Sequence, residues 1–180
     1  MTTASEPHRL PAPRPDVLLG AALLAVAGLF VRALMFTPIE ARQGAAQKIL
    51  YVHATSAIVG LYLAFGLMAI ASFLYLWLKD PKLDRVAESC AEVGLCFTTV
   101  VLATGPLWGK TIWGAWWTWD ARLPSTLFLW FIIVAYLLLR GAVEEPGRRA
   151  RYSAVLGILA SLLVPFIHLS VYLFNTLHPK

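Results

Sequence analysis

The amino-acid sequence predicts an all-α bundle of transmembrane helices, and three observations support this fold class. Hydrophobic residues make up 59% of the 180 residues and charged residues only 14%. Soluble domains are usually about half apolar and a quarter charged, so a water-facing globule could not bury this much apolar surface. The mean hydropathy is +0.69. Several apolar runs also approach or exceed the length of about 20 residues that a helix needs to cross a bilayer.

Five apolar runs predict five helices, over Val17–Phe36, Ile49–Leu78, Val86–Leu107, Leu123–Leu139 and Tyr152–Phe174. Residues 1–16 are polar and rich in proline, and they are predicted to form a cytoplasmic tail. The first run is longer than the apolar region of a signal peptide, so we expect it to be retained as a helix. We therefore predict one transmembrane domain over residues 17–174, followed by an extracytoplasmic end at 175–180.

The placement of basic residues predicts the orientation. Nine lie on one side of the predicted membrane, namely Arg9, Arg14, Lys79, Lys82, Arg85, Arg140, Arg148, Arg149 and Arg151. Five lie on the other side, namely Arg42, Lys48, Lys110, Arg122 and Lys180. The side with the excess is expected to be cytoplasmic. The N-terminus is then inside, and the net charge of +5 reflects topology rather than nucleic-acid binding.

Two histidines are predicted to lie at the same depth, near the outer membrane surface. His53 precedes Lys79 by 26 residues and His168 follows Arg151 by 17 residues. At 1.5 Å per residue these intervals are roughly 39 Å and 26 Å of helix, against a hydrocarbon core about 30 Å thick. An ordinary interfacial histidine, hydrogen-bonded to a neighbour, is the alternative for each. His178 is treated as having no role.

Helix periodicity predicts that both histidines point into the bundle. His53 shares a helix face with Ala57, Gly60 and Ala64, and His168 shares one with Gly157 and Ser161. Small residues on a membrane helix mark the side that packs on other helices. Pro165 is expected to kink the last helix just before His168. Glu88 and Glu92, near the inner end of the third run, are expected to face the interface or to pair with Arg85.

The segment 108–124 is rich in tryptophan and predicts a platform for a large planar ligand. Its tryptophans are Trp108, Trp113, Trp116, Trp117 and Trp119. The spacing of Trp113, Trp116, Trp117 and Asp120 predicts one face of a short surface helix. Flat aromatic rings at the water boundary suit an aromatic ligand, although tryptophan also anchors helices at membrane interfaces.

Polar residues around this segment have two interpretations each. Lys48, Lys110 and Arg122 are candidate partners for carboxylates of the ligand, or else interfacial anchors. Asp120 is expected to orient an N–H group of the platform, or to favour the helix dipole at the start of the fourth helix. Ser125, after Pro124, is a candidate cap of that helix.

The string TGPLWGKTIWGAWWTWDARL resembles the WWD signature of heme-handling membrane proteins, and in particular that of the heme exporter protein C family (CcmC) of cytochrome c maturation. QGAAQKILYVHATSA resembles the segment with the first heme histidine of that family, which falls on His53. VPFIHLSVYLFNTLHP resembles the segment with the second, which falls on His168. The resemblance covers about residues 18–179.

This resemblance implies that non-covalent heme b binds at the outer face of a bacterial plasma membrane. His53 and His168 would be the axial ligands of the iron, and the segment with Trp113, Trp116, Trp117, Trp119 and Asp120 would form the platform. The chain would act as a heme-transfer protein rather than an enzyme. Its implied partners are membrane lipid, the periplasmic heme chaperone CcmE, the ABC-type complex of CcmA and CcmB, and the small membrane protein CcmD, with no nucleic acid.

The sequence departs from the family pattern at three points. Thr55 stands where the family usually has proline, Lys48 stands where arginine is common, and five apolar runs contrast with the six helices of the family. Three other functions stay open: a b-type electron-transfer cytochrome, a cytochrome c synthase subunit, and a structural subunit without a ligand.

Overall fold

The computed structural model describes residues 16–174 and 176–178, which are almost entirely helical. The helices are α1 (Val17–Phe36), α2 (Gln47–Ala57), a π-helical segment (Ile58–Ala64), α3 (Phe65–Leu78), α4 (Pro81–Trp113), α5 (Arg122–Ala142), α6 (Pro146–Ser161) and α7 (Leu163–Leu173). In the described part of the chain, five continuous helical stretches are long and apolar enough to cross a membrane. The predicted fold class is therefore confirmed, and the chain is a multi-pass membrane protein.

The chain divides into two compact units, residues 1–36 and 37–180. The first unit contains α1, a helix of 20 residues with none buried. The predicted cytoplasmic tail lies outside the described residues except for Asp16, whose carboxylate accepts a hydrogen bond from Leu19 N. The second unit contains all the other helices.

In the main apolar core of the second unit, α3 packs against α4 and α6, and a smaller cluster around Tyr75, Ala150 and Ala154 lies at the other end of α3. The largest fully buried side chains are Tyr136, Phe65, Met68, Leu129, Ile133 and Ile167. Gly94 on α4 lets the backbone approach α3 closely, because a Cβ there would overlap the ring of Phe65. This close approach of small residues is the usual way in which membrane helices pack.

Two of the predicted helices differ most from their predicted bounds, and local chemistry explains where each one begins or breaks. Helix α4 begins at Pro81, before the predicted apolar run, because Asp80 caps its first turn by accepting a hydrogen bond from Lys82 N. The last predicted helix is divided into α6 and α7 at Leu162. Pro165 has no N–H to donate to the carbonyl four residues earlier, so the expected kink occurs one turn before the proline.

The chain passes back and forth between two ends of this bundle. At one end α2 begins, α4 ends and α5 begins, and we call it the tryptophan end because residues 108–119 lie there. At the other end α3 ends at Leu78 and α6 begins at Pro146. We call this second one the basic end.

Candidate functional site

A cavity of about 60 Å³ lies at the tryptophan end. It is lined by residues of α2, α4, the loop after α4, the start of α5 and the end of the chain, including His53, Gly105, Trp108, Gly109, Trp113, Trp116, Trp117, Arg122, Thr126 and His178. A water molecule occupies about 30 Å³ in the liquid. The cavity is therefore large enough for water, but a larger planar ligand would require its walls to separate.

The tryptophan segment is not the short surface helix that its spacing predicted, and that prediction is wrong. Helix α4 continues to Trp113 and ends at Gly114, which has a φ of 77° in the left-handed region that favours glycine. Residues 115–121 are not helical. The segment is therefore half helix end and half loop.

The tryptophans differ in their contacts with the cavity. Trp108 and Trp113 line it from α4, with ring centroids 4.9 Å apart. Trp116 and Trp117 line it from the loop, and the buried Nε1 of Trp117 has no hydrogen-bond partner among the described residues. Trp119 is 83% exposed and stacks edge-on against Trp117 outside the lining. Four of the five tryptophans therefore form the walls.

His53 reaches the cavity from α2, and its hydrogen bond determines which ring nitrogen carries a proton. Its Nδ1 lies 3.1 Å from Oγ1 of Thr104, while that hydroxyl donates its only hydrogen to the carbonyl of Val100 at 2.7 Å. His53 Nδ1 must then be the donor in the first contact. This assigns the lone pair to Nε2, the nitrogen that remains able to bind a metal.

Gly105 explains how the ring of His53 fits against α4. A Cβ at this position would lie 3.1 Å from Cε1 of His53. That distance is too short for an unstrained contact, so any larger residue would push the imidazole away from α4. Gly105, three residues before Trp108, therefore serves the placement of His53.

His178 lines the same cavity from the end of the chain, although sequence reasoning gave it no role. Its Nδ1 lies 3.3 Å from Oδ2 of Asp120, and its ring packs edge-on against Trp113 with centroids 4.9 Å apart. An ionised carboxylate can only accept, so Nδ1 carries the proton and Nε2 keeps the lone pair. A carboxylate that orients an imidazole in this way is a common arrangement at metal sites.

Asp120 holds both this histidine and the start of α5. Its side chain is 6% exposed, and its carboxylate accepts hydrogen bonds from the backbone N–H groups of Arg122 and Leu123 and from the hydroxyl of Thr118. Asp120 thus takes the capping role that had been expected of Ser125. Ser125 lies inside α5, where its hydroxyl donates to the carbonyl of Ala121.

The surroundings of His178 favour its neutral form. Burial lowers the pKa of His178 below its usual value of 6.5, and the charge of Arg122 lowers the pKa further, while Asp120 acts in the opposite direction. A neutral imidazole is the form that binds a metal. His178 is therefore ready to act as a ligand at neutral pH.

His168 lies elsewhere. Its side chain is exposed on α7, and its Nδ1 is 2.8 Å from the hydroxyl of Tyr62. It does not line the cavity that His53 lines. The structure thus differs from the expectation that His53 and His168 both point inward, because the break at Leu162 and the outward face of α7 place His168 on the surface.

A sequence signal for His178 was available. It follows the last apolar run on the same predicted side of the membrane as the tryptophan segment. Helix periodicity and depth treat only residues inside helices, so a histidine in a loop escapes both arguments.

The predicted cationic residues are divided between the cavity and its surroundings. Arg122 lines the cavity. Lys110 is exposed and donates to the carbonyl of Gly114 at 3.0 Å, which helps to hold the turn at the end of α4. Lys48 lies half-buried at the start of α2 and is not part of the lining.

Comparisons with known proteins agree with one another. The family model described as Heme exporter protein C matches residues 8–180. The chain is 38% identical over 164 residues to the Heme exporter protein C of Bradyrhizobium diazoefficiens, which covers 91% of this chain and 61% of the relative. It is 41% identical over 152 residues to the Heme exporter protein C of Haemophilus influenzae, covering 82% of this chain and 60% of the relative.

A plant relative is also similar. The putative cytochrome c biosynthesis ccmC-like mitochondrial protein of Marchantia polymorpha is 35% identical over 163 residues, which cover 91% of this chain and 68% of the relative. The chain spans about 60% of the length of the two bacterial relatives.

Proposed function

Since the chain belongs to the heme exporter protein C family, we propose that it binds heme at the tryptophan end as its cargo and passes the heme on for cytochrome c maturation. The bound form would be heme b, held without a covalent bond. The recipient would be a periplasmic heme chaperone of the CcmE type. This is a transfer function, and the chain would catalyse no chemical step.

The observation that carries the proposal is the state of the two imidazoles at the cavity. His53 and His178 both line it, and both have Nδ1 engaged, by Thr104 and by Asp120. Two Nε2 lone pairs from separate parts of the chain are what a six-coordinate heme iron accepts on its two faces. We therefore propose His53 and His178 as the axial pair, in place of His53 and His168.

The walls of the cavity fit the rest of a heme. Trp113, Trp116 and Trp117 offer apolar ring faces to the porphyrin. Arg122 lines the same cavity and could pair with a propionate. Lys48 and Lys110 lie outside the lining, so we propose interfacial roles for them.

The composition of the walls also supports release. Trp116, Trp117, Asp120 and His178 lie outside helices, so they can separate without breaking the helix ladder of the core. A wall that opens is needed for capture, since a cavity of about 60 Å³ cannot enclose a porphyrin. A delivery protein needs ligands that can leave the iron as well as bind it.

We infer the location and the assembly from the same family membership. The tryptophan end would face the periplasm from the bacterial inner membrane, with the N-terminus of the chain in the cytoplasm. The excess of Lys and Arg at the basic end supports this orientation. The ABC-type complex of CcmA and CcmB, and the small protein CcmD, would be the membrane partners.

The decisive experiment is the absorption spectrum of the purified chain, in the wild type and in three matched histidine variants. His53→Ala and His178→Ala should each lose most of the retained heme, while His168→Ala, on the outer surface of α7, should keep it. Loss of heme in His168→Ala together with full retention in His178→Ala would overturn the proposed pair. Transfer of heme from the loaded chain to a purified chaperone, followed by gel filtration, would test the delivery step.

A further inference from the structure

A second and larger cavity lies at the basic end. It has a volume of about 490 Å³ and is lined by the end of α3, the starts of α4 and α6, and the end of α5. The proposed heme function uses none of these residues. Its lining includes four cationic side chains, Lys79, Arg85, Arg140 and Arg149, and two carboxylates, Asp84 and Glu88.

Arg140 forms ion pairs with both carboxylates of the lining. Its two terminal nitrogens lie 2.7 and 2.9 Å from the oxygens of Asp84, and one of them also lies 2.7 Å from Glu88. The expectation that Glu88 pairs with Arg85 is therefore replaced by a pair with Arg140. Four cations and two anions leave the lining with a surplus of two positive charges.

Buried donors in this lining lack acceptors. Arg140 is 6% exposed, and within the part of the chain that the structure describes its Nε has no hydrogen-bond partner. The same holds for the buried Nε of Arg149. A buried donor without a partner is unfavourable, because it has lost its hydrogen bonds to water. A ligand with several anionic oxygens would remove that penalty, and a phosphate group fits the planar guanidinium geometry.

The position of the cavity indicates where such a phosphate comes from. Trp77, at the end of α3, is 74% exposed, and exposed tryptophan at a helix end is typical of the membrane–water interface. Lys79 lies two residues further along the chain, and its ammonium is 5.6 Å from the ring centroid of Tyr75. The cationic lining therefore lies at the level of lipid headgroups, where basic pockets between helices bind anionic lipids.

We propose that the cavity at the basic end binds the phosphate of an anionic phospholipid headgroup, with Arg149 and Arg85 as the contacts that select it. Arg140 keeps its carboxylates and presents its remaining Nε–H to the same ligand. A zwitterionic lipid carries a compensating cation and should bind more weakly. The proposal is independent of the heme site at the opposite end.

Helix α6 supplies a matched control. Arg148 is adjacent to Arg149 in sequence, but it is 67% exposed, pairs with Glu145 at 3.2 Å and does not line the cavity. Arg149→Gln and Arg148→Gln therefore remove the same charge from the same turn, one inside the cavity and one outside.

The test is native mass spectrometry of the full chain, purified and then titrated with phosphatidylglycerol or with phosphatidylcholine. We expect phosphatidylglycerol to be retained preferentially, and Arg149→Gln to bind it about tenfold more weakly, the effect of one charge-assisted hydrogen bond. Arg148→Gln should match the wild type. Arg85→Gln is the second variant, in case Arg149→Gln unfolds, and it should also weaken retention.

Three results would overturn the proposal. Equal losses in Arg148→Gln and Arg149→Gln would mean that surface charge alone attracts the lipid. Equal retention of phosphatidylcholine and phosphatidylglycerol would remove the need for an anion. Competition by inorganic phosphate at millimolar concentration, with no preference between lipids, would identify a soluble phosphate as the ligand instead.

Discussion

The two ends of the bundle both collect polar side chains, but they hold them in opposite ways. At the basic end, Arg140, Asp84 and Glu88 all project from helices and are joined by three hydrogen bonds from the terminal nitrogens of Arg140. At the tryptophan end, His178 and Asp120 lie outside helices. The hydrogen bonds of His53 and His178 involve Nδ1, so Nε2 of each ring keeps its lone pair.

This difference indicates that the basic end stabilises the fold, whereas the tryptophan end binds a ligand. Helix-borne ion pairs are fixed by the backbone, so the basic end can stabilise the arrangement of α4 and α5. Loop-borne ligands can move without loss of core packing, so the tryptophan end can exchange a cargo. Substitutions at the basic end should therefore change mainly the free energy of unfolding, and those at the tryptophan end mainly the binding of the cargo.

The largest effect is expected at the basic end. Arg140→Leu leaves Asp84 and Glu88 without their partner in a partly buried site, and should lower the free energy of unfolding by about 3 kcal/mol. Thermal unfolding in detergent measures this loss. The triple variant with Asp84→Leu and Glu88→Leu should recover most of it, because no uncompensated charge remains. A stable Arg140→Leu protein would contradict the structural role given to this end.

The next effect is expected at the tryptophan end and should leave stability unchanged. Asp120→Asn keeps a capping side chain at the start of α5, but replaces the carboxylate that orients His178. Loss of a partner that orients a metal ligand typically weakens metal binding by about 10- to 100-fold. A hemin titration followed by absorbance measures this change.

Asp80→Asn is the matched control for Asp120→Asn, because Asp80 caps α4 at the basic end. It should leave hemin affinity unchanged. If the two variants weakened hemin binding equally, the effect would come from helix capping in general and not from the contact with His178.

The helices could be predicted from sequence because their signal is local. An apolar run long enough to cross the bilayer must be helical to satisfy its backbone. Four of the five runs, such as Leu123–Leu139, fall within helical stretches of the structure, while the fifth is interrupted at Leu162 and ends one residue after α7. The position of His53 within its run likewise predicted that it lies at the same end of the bundle as the tryptophan segment, and it lines the cavity there. Its partner at the cavity was not predicted, because the position of His178 depends on Trp113 and Asp120, which are distant in sequence.

The prediction of a short helix in the tryptophan segment was wrong for a related reason. Its spacing fits a helix, but the left-handed conformation at Gly114 ends α4 and turns the following residues back over its last turn. Periodicity carries no information about where a chain reverses. The pairing of Glu88 with Arg140 was missed likewise, since it joins residues that are 52 positions apart.

A smaller effect is expected from the hydroxyl that orients His53. Thr104→Val keeps the shape of the side chain but removes the acceptor of His53 Nδ1–H, and one hydrogen bond contributes about 0.5–1.5 kcal/mol. Hemin affinity should fall by up to about tenfold. Thr104→Ser should restore it. An equally weak Thr104→Ser variant would assign the effect to packing rather than to the ring nitrogen.

The smallest expected effect is a shift in the pKa of His178. It tests whether removing a charge at the tryptophan end acts differently from removing one at the basic end. Burial and Arg122 lower the pKa of His178 below 6.5, so the unfolded chain binds the proton more strongly than the folded one. The part of the free energy of unfolding that depends on a neutral His178 is fully present above pH 6.5. It is lost as the pH falls through the folded pKa.

Arg122→Gln removes one cause of the lowering, so the pKa of His178 should rise toward its usual value, as measured by NMR titration of the heme-free chain. Arg148→Gln changes the net charge equally, but at the basic end, and should leave the titration unchanged because exposed charges are screened beyond about 10 Å. An equal shift in both variants would mean that His178 responds to net charge. The local geometry of the tryptophan end would then not explain why its imidazole stays neutral.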